Sequence, residues 1–440
     1  MSTTALNTSL KENFTTSFDL FEQSLNGAKN SYLHTIRKRA FESFLSSGFP
    51  TIKNEEWKYF NPAPVFNETL FPAVHAEKTS AHLNHELFGI AKINRIVLVN
   101  GNYDPTYSKI IDKNLIVKNI SAALRENTRT IKEHFNQHVL VENAFTNLNT
   151  AFAGDGLLIQ ILKGEIVEHP VFIFNFISNE NNQTLHQSRT LIVAEENSQA
   201  QFVEIFQNST QEFRSIENSL TEFYAATGSH INFIRSQVDE SDYNLISSFN
   251  VVQEAKSVFD CTTVSTAGRL LRNNITVKHL GQHCETHLNG LYLVDGKDLI
   301  DNHLLIDHAQ PNCESHQLYK GILNDEGRGV FNGKIFVKPQ AQKTNAFQSN
   351  KNILLSEKAV LNAKPQLEIF ADDVKCSHGA TSGFLDENAL FYLISRGISK
   401  ENAKAMLIHA FAAEIIAKVK VESMHDYFNK ILVSKLKINF

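Results

Sequence analysis

A thiol and an imidazole lie close together in segment 371–381, where a β-rich region gives way to helices. Successive side chains of a strand point to opposite faces, so Val374, Cys376 and His378 would share one face. Cysteine sulfur and histidine nitrogen can hold a soft metal ion or a sulfur species. On these residues alone, a buried cysteine beside a hydrogen-bonded histidine is the simpler interpretation.

Two Cys-x-x-His pairs form a second candidate site. Cys284 and His287 recur 29 residues later as Cys313 and His316, which supplies four nitrogen and sulfur ligands, the number in a structural zinc site. On a straight strand, however, residues three apart face opposite ways. The repeat therefore favours stacked structural residues over a zinc site.

Motifs for nucleotide or hydrolase chemistry are missing. The glycines between Gly327 and Gly333 have the wrong spacing for a phosphate-binding loop, and Ile335 stands where a Ser or Thr would bind magnesium. No Gly-x-Ser-x-Gly motif occurs. Asp372 and Asp373 are adjacent, so they would face opposite sides of a strand. The sequence indicates no catalytic residue.

Composition limits the partners. The 440 residues carry a net charge of −5, and the 20% that are charged are scattered, which does not favour nucleic acid or an anionic membrane. The N-terminus lacks the basic and apolar parts of an export signal, and no apolar run is long enough to span a bilayer. Four cysteines in so long a chain do not make a disulfide framework, so we expect a cytoplasmic protein.

The chain divides into three regions. Apolar residues at helical spacing in segment 33–45 end at Gly48, segment 96–101 predicts a strand, and helical spacing returns between 121 and 151. The single tryptophan, Trp57, is expected to pack these helices together.

Short β-type segments then follow one another from residue 157 to 381, without intervening helical signals. Their steps of 12 to 16 residues favour a parallel β-solenoid with two strands per turn, and an antiparallel sandwich is the competing architecture. The predicted starts are Ser229, Tyr243, Ser257, Arg269, Cys284, Leu299, Cys313, Gly329, Asn345, Ala359 and Val374.

The last part is helical again. Asp386 is expected to cap a helix that ends near Gly397, Ser399 to cap a second, and a third extends from about Met424 to Leu436. Such helices bury little apolar surface alone, so they must pack on the solenoid or on a partner.

Several segments carry a family resemblance. The Ser-His-Gly-Ala-Thr sequence at 377–381 resembles the SufD branch of the SufB/SufD family of iron–sulfur cluster assembly scaffolds, because SufB usually differs there. The similar segments span nearly the whole chain and also include 56–59, 99–101, 149–156, 310–323 and 364–369.

This resemblance implies a mainly β fold with helical flanks. A right-handed parallel β-helix over residues 151–382 would lie between an N-terminal helical domain, 1–150, and a C-terminal helical domain, 383–440. It also implies a non-catalytic scaffold that pairs with a SufB-type subunit through the β-helix. A SufC-type ATPase would bind the C-terminal helices and hydrolyse the ATP. Whether the isolated chain forms a homodimer is left open by the resemblance.

The resemblance also assigns residues. His378, with Cys376 nearby, would contribute to a nascent iron–sulfur cluster at the SufB junction, as transient cargo rather than a tightly bound cofactor. A flavin has been associated with such complexes, but no residue here locates a flavin site. The residues in the SufC-docking helices would be Asp386, Leu390, Phe391, Arg396, Met406 and Phe411.

Two other functions remain open from the sequence. A carbohydrate-active β-helix enzyme would use clustered charged residues in a groove and is typically secreted, and neither such a cluster nor an export signal stands out. A zinc-binding structural protein would depend on the Cys-x-x-His pairs.

Overall fold

A parallel β-solenoid occupies the middle of the chain, with helices before and after it. It confirms the predicted fold class, and the antiparallel sandwich is wrong. The computed structural model describes residues 3–25, 32–62, 71–72, 86–126, 128–152, 155–177, 184–208, 216–238, 244–266 and 268–435.

The N-terminal region combines helices with short strands. The predicted helical segment 33–45 lies within α2. The predicted strand at 96–101 overlaps β2 over residues 96–99. The elements are α1 Thr3–Ser24, α2 Tyr32–Ser47, β1 Phe71–Pro72, β2 Asn94–Val99, β3 Asn102–Tyr103, β4 Leu115–Asn119, α3 Ile120–Arg125, α4 Arg129–His134 and α5 Ala144–Ala151.

The solenoid alternates its strands between two sheets. Odd-numbered strands from β5 to β19 form sheet A, and even-numbered strands from β6 to β20 form sheet B. The strands are β5 Leu157–Ile161, β6 Val171–Ile177, β7 Thr184–Ala194, β8 Gln199–Asn208, β9 Ile216–Ala225, β10 His230–Gln237, β11 Asn244–Gln253, β12 Val258–Ser265, β13 Leu270–His279, β14 Glu285–Val294, β15 Leu299–His308, β16 Glu314–Leu323, β17 Arg328–Val337, β18 Asn345–Leu354, β19 Val360–Ile369 and β20 Lys375–Gly383.

The predicted strand starts agree closely with this arrangement. From β10 onward, each predicted start among the described residues lies within one residue of an observed one. Tyr243 lies outside the described residues, next to β11. Turns of similar length separate the strands, and several contain a residue with positive φ, such as His283 at 61° and Asn312 at 59°. The regular turns keep neighbouring coils in register, as for the pairs Glu285–Glu314 and His287–His316.

The space between the sheets is filled by apolar side chains, with buried polar pairs among them. The rings of Phe202 and Phe233 stack at 5.4 Å between centroids. The Arg235 guanidinium donates to the Glu204 carboxylate at 2.9 Å, and both side chains are buried. A buried charge in such a place needs a partner of this kind because it has lost its water.

The N-terminal region shares both sheets of the solenoid. Strand β2 pairs in parallel with β6, and β4 pairs antiparallel with β5. Trp57 is buried. It packs on Phe145 of α5, as expected, and it also contacts the solenoid. The guanidinium of Arg272 in β13 lies 3.8 Å from the centre of the Trp57 ring, which ties segment 55–57 to sheet A. The domain boundaries at 150 and 382 stay predictions.

Three helices follow the solenoid: α6 Glu387–Ser395, α7 Lys400–Ile416 and α8 Glu422–Lys435. The predicted caps are confirmed. Asp386 accepts from the N–H of Asn388 at 2.8 Å, Ser399 accepts from the N–H of Asn402 at 3.2 Å, and Gly397 has φ of 90°. Leu436 lies outside the described residues.

Helices α7 and α8 pack on sheet B, whereas α6 does not. Ile408 and Ile415 of α7 and Phe428 of α8 belong to one apolar cluster with Leu291 and Ile322 of the sheet. With the rest of the described chain in place, α6 buries none of its side chains. The predicted packing on the solenoid thus holds for two of the three helices.

Candidate functional site

The two last strands leave one end of the solenoid uncovered. Among the described residues, β19 pairs only with β17 and β20 only with β18, and neither strand has a buried residue. We call these two strands the open end. Proteins usually protect long edge strands, because their free N–H and C=O groups can pair with another strand. The open end is therefore suited to receive a partner.

Cys376 lies on the inner face of β20. It pairs in register with Ala346 of β18 and is half-buried against a small apolar cluster that includes Ile335 and Val337. Burial raises the pKa of the Cys376 thiol, and the N–H of Ala346 opposes this effect only in part. A metal ion or a sulfur species that bound here would have to displace the thiol proton.

His378 continues a polar column inside the solenoid. Leu288, Gln317, Gln348 and His378 follow one another in register across sheet B, and Leu288 belongs to the core between the sheets. The buried Gln348 side chain donates to Gln317 at 2.9 Å, whereas His378 is exposed at the open end. Sequence reasoning missed the two glutamines. Their spacing of one coil, which is two strands, could have revealed them.

Cys376 and His378 are two residues apart on one strand, so they form an incomplete site. Within the described ranges, no group of three or more His, Cys, Asp or Glu side chains is placed to hold a metal ion. A cluster bound at the open end would therefore need ligands in addition to those of this chain.

The residues assigned to the docking helices differ in their surroundings. Phe391 is 72% exposed and Tyr392 is 56% exposed, and the Arg396 guanidinium lies 5.2 Å from the Tyr392 ring centre. Leu390 is half-buried. Ile394, also exposed, extends this apolar patch, so we call Phe391, Tyr392 and Ile394 the α6 surface.

Other assigned residues have structural roles. Asp386 caps α6, and Phe411 lies beneath Lys320 of β16, whose ammonium is 4.3 Å from the ring centre. Lys320 also donates to the Phe411 carbonyl at 2.7 Å and pairs with Glu414 at 2.5 Å. Met406 remains 40% exposed on α7. Lys320 thus fixes α7 to the solenoid.

The Cys-x-x-His pairs separate as the sequence predicts. Cys284 and Cys313 are buried in neighbouring turns, whereas His287 and His316 stack on the outer face with ring centres 5.3 Å apart. A hydrogen bond of 2.7 Å to Asp260 raises the pKa of His287, against the effect of burial. The two residue types do not converge on one point.

The sequence itself places this fold in a family. Residues 176–411 match the SufBD core domain of SUF system FeS cluster assembly, and residues 8–173 match the SufBD protein N-terminal region. The chain belongs to the SufBD family. The two matched regions of this SufBD chain meet inside β6.

Similar proteins agree with this assignment. An iron–sulfur cluster assembly SufBD family protein of Synechocystis is 29% identical over 418 residues, which cover 92% of each chain. SufD of Escherichia coli is 28% identical over 87% of this chain and 88% of its own. SufD of Bacillus subtilis is 26% identical over 74% and 75% of the two chains. These matches are consistent with the predicted SufD branch.

No described helix of this SufBD chain combines the length and apolar character needed to cross a bilayer.

Proposed function

We propose that this SufBD chain is a non-enzymatic scaffold subunit of the SUF system. It pairs with a SufB-type subunit at the open end and binds a SufC-type ATPase through its C-terminal helices. The observation that carries this proposal is the open end itself, which lacks a covering element in the described chain and holds Cys376 and His378. The four free cysteines fit the reducing cytoplasm.

Strand pairing is the mode of association that the open end supports. The N–H of Lys375 points towards β18 and donates to the Thr344 carbonyl of the preceding coil at 2.8 Å. Because backbone groups alternate in direction along a strand, those of Cys376, His378 and Ala380 point away from β18. A strand of a second solenoid would satisfy them. Without a SufB-type subunit, a second copy of this chain would meet the same need.

The nascent cluster is cargo held at this junction. Cys376 supplies sulfur and His378 supplies nitrogen, and both elements suit iron. The remaining ligands come from the SufB-type subunit, because the described residues of this chain offer no third ligand nearby. ATP hydrolysis belongs to the SufC-type partner, since this chain has no phosphate-binding loop.

The α6 surface is the part of the C-terminal helices that supports partner binding best. Three large apolar side chains on one exposed helix cost free energy in water, and a partner that buried them would recover it.

Co-purification with SufB-type and SufC-type subunits from the same source tests this proposal. Phe391→Asp should abolish capture of the SufC-type subunit and leave SufB-type pairing and the circular dichroism spectrum unchanged. Leu20→Asp, at a 53% exposed leucine of α1, is the matched control and should capture both partners. Normal SufC-type capture by Phe391→Asp would exclude the α6 surface, and capture of neither partner by the unaltered chain would reject the scaffold role.

A further inference from the structure

Two buried thiols meet in adjacent turns of the solenoid, away from the open end. Cys284 immediately precedes β14 and Cys313 immediately precedes β16, and these strands are paired in register. The N–H of Glu314 donates to the Cys284 carbonyl at 2.8 Å, which aligns the two turns. Cys284 is 1% exposed and Cys313 is fully buried.

The two sulfur atoms share one hydrogen-bond acceptor. The carbonyl oxygen of Gly281 lies 3.1 Å from Cys284 Sγ and 3.3 Å from Cys313 Sγ. Neighbouring strands of a sheet are about 4.8 Å apart. This spacing falls inside the range of about 4.4–6.8 Å between the Cα atoms of disulfide-bonded cysteines. Cα atoms at paired positions of neighbouring strands therefore fall within the range that a disulfide needs.

The two thiols are chemically unequal. The neighbouring Cys313 thiol and burial raise the pKa of Cys284. The pKa of Cys313 is lowered by the Cys284 thiol and by the N–H groups of Cys284 and His283, although burial opposes them. Cys313 is thus the better nucleophile of the pair, because the thiolate is the reactive form.

Each of the two buried cysteines directly follows an exposed turn residue. His283 and Asn312, each one residue before a cysteine, are exposed and have positive φ values of 61° and 59°. Asparagine and histidine adopt this conformation more readily than most residues, and a turn of exposed residues can open locally at a smaller free-energy cost than unfolding a coil. A small oxidant would need only this opening to reach Cys313.

We propose that Cys284 and Cys313 form a site of reversible oxidation by a hydroperoxide, which closes a disulfide between two turns. The Cys313 thiolate attacks a peroxide oxygen, the O–O bond breaks, and a sulfenic acid and hydroxide form. The Cys284 thiol then attacks the sulfenic sulfur, and water leaves with the thiol proton. In total, two thiols lose two hydrogens, hydrogen peroxide becomes two waters, and a thiol reductant reverses the change.

Peptide mapping of the full-length chain tests the proposal. The reduced protein is treated with hydrogen peroxide, denatured, alkylated and digested with trypsin, which cuts between the two cysteines at Lys297. We expect a linked pair of peptides that contains Cys284 and Cys313 and disappears on reduction. A second sample that is denatured before the peroxide is added shows, by oxidation of its cysteines, that the peroxide was active. If those cysteines are oxidised and this pair of peptides is not linked in the native sample, the proposal is overturned.

Two variants separate this pair from general oxidation. Cys284→Ser removes the resolving thiol, so dimedone should trap a sulfenic acid at Cys313. Cys261→Ser, at a buried cysteine on β12, is the matched control and should leave the linked peptides unchanged. A link that persisted through another cysteine in Cys284→Ser, or that was lost in Cys261→Ser, would contradict the assignment. If Cys284→Ser failed to fold, the linked peptides of the unaltered chain would still decide the question.

Discussion

His378 and Cys376 show how far single residues determine the candidate site. Their separation by one residue puts both side chains on the inner face of β20, as the sequence predicts. Cys376 is half-buried and its pKa is raised, whereas His378 lies exposed at the end of a buried glutamine column. The histidine can therefore change without disturbing the core, which makes it the better residue for a test.

His378→Ala should lower cluster delivery by the complete complex at least about tenfold, the size of effect that loss of a supporting group has at a metal site. The fold should not change, because this side chain is exposed. Iron and sulfide content and the activation of an apoprotein measure the effect. Ser377→Ala, on the opposite face of the same strand, is the control and should behave as the unaltered protein. Equal delivery by both variants would remove His378 from the mechanism.

Arg272 is the residue on which attachment of the Trp57 segment depends. It pairs with buried Asp301 at 2.8 Å and donates to the Glu56 carbonyl at 2.8 Å. Arg272→Met should lower the free energy of unfolding by about 3 kcal/mol, because the buried Asp301 carboxylate would lose its guanidinium partner and keep the contact of 2.9 Å to His303. Urea unfolding measures this loss.

The matched control is Arg129→Met, which breaks the exposed pair with Glu133 and should leave the unfolding midpoint unchanged. Equal midpoints for the two variants would mean that the Arg272 contacts contribute little to stability.

At the scale of elements, the two strands of the open end and helix α6 each have a side that no described element covers. Helix α7 is fixed to sheet B by Lys320 and by its buried apolar face, so substitutions there would disturb the solenoid as well. The edge of β20 and the surface of α6 can be altered without this complication.

Ala380→Pro tests strand pairing at the open end. Its N–H points away from β18, so proline removes a donor that only an added strand would use. We expect SufB-type pairing to be lost while the circular dichroism spectrum keeps its β-sheet signal. Ala380→Ser keeps the N–H and should pair normally. If the proline variant paired as well as the serine variant, association would not use this edge.

For the whole molecule, we expect the buried histidines to lower stability as the pH falls below neutrality. Burial lowers the pKa of His138, His186 and His308 to about 4, and that of His134 to about 4, with a further contribution from His138. Burial also lowers the pKa of His279. In the unfolded chain the pKa of each of these histidines is about 6.5. Below that pH the unfolded state takes up protons that the folded state does not, so stability falls as the pH drops from 6.5 towards 4.

The thermal midpoint should therefore be nearly constant from pH 8 to 7 and decline below about 6.5. His287 acts in the opposite direction, because a group with a raised pKa contributes stability that is lost as the pH rises. It is one group against six, since burial also lowers the pKa of His316. His186→Gln should make the acid decline shallower, since one buried imidazole no longer takes up a proton on unfolding. The same slope in this variant and the unaltered chain would exclude His186 as a cause.

Local patterns account for the part of the architecture that sequence reasoning predicted. The solenoid strands were predictable because alternation and turn spacing repeat every coil, and the caps Asp386 and Ser399 were predictable because they act on the next three residues. The alternation of side chains along a strand also puts Cys376 and His378 on one face. The resemblance to the SufBD family was recognisable because the 377–381 sequence is contiguous.

Contacts between distant residues required the tertiary structure. Trp57 meets Arg272, and Gln317 and Gln348 line up behind His378, because coiling brings together residues that no local pattern relates. The open end, the exposed α6 surface and the shared acceptor of Cys284 and Cys313 likewise depend on which elements cover which. Local sequence pattern is enough to predict the repeating unit and the tract that carries Cys376 and His378. Burial and exposure depend on the stacking of the coils, because each coil is covered by its neighbours and, among the described residues, no further coil lies beyond β19 and β20.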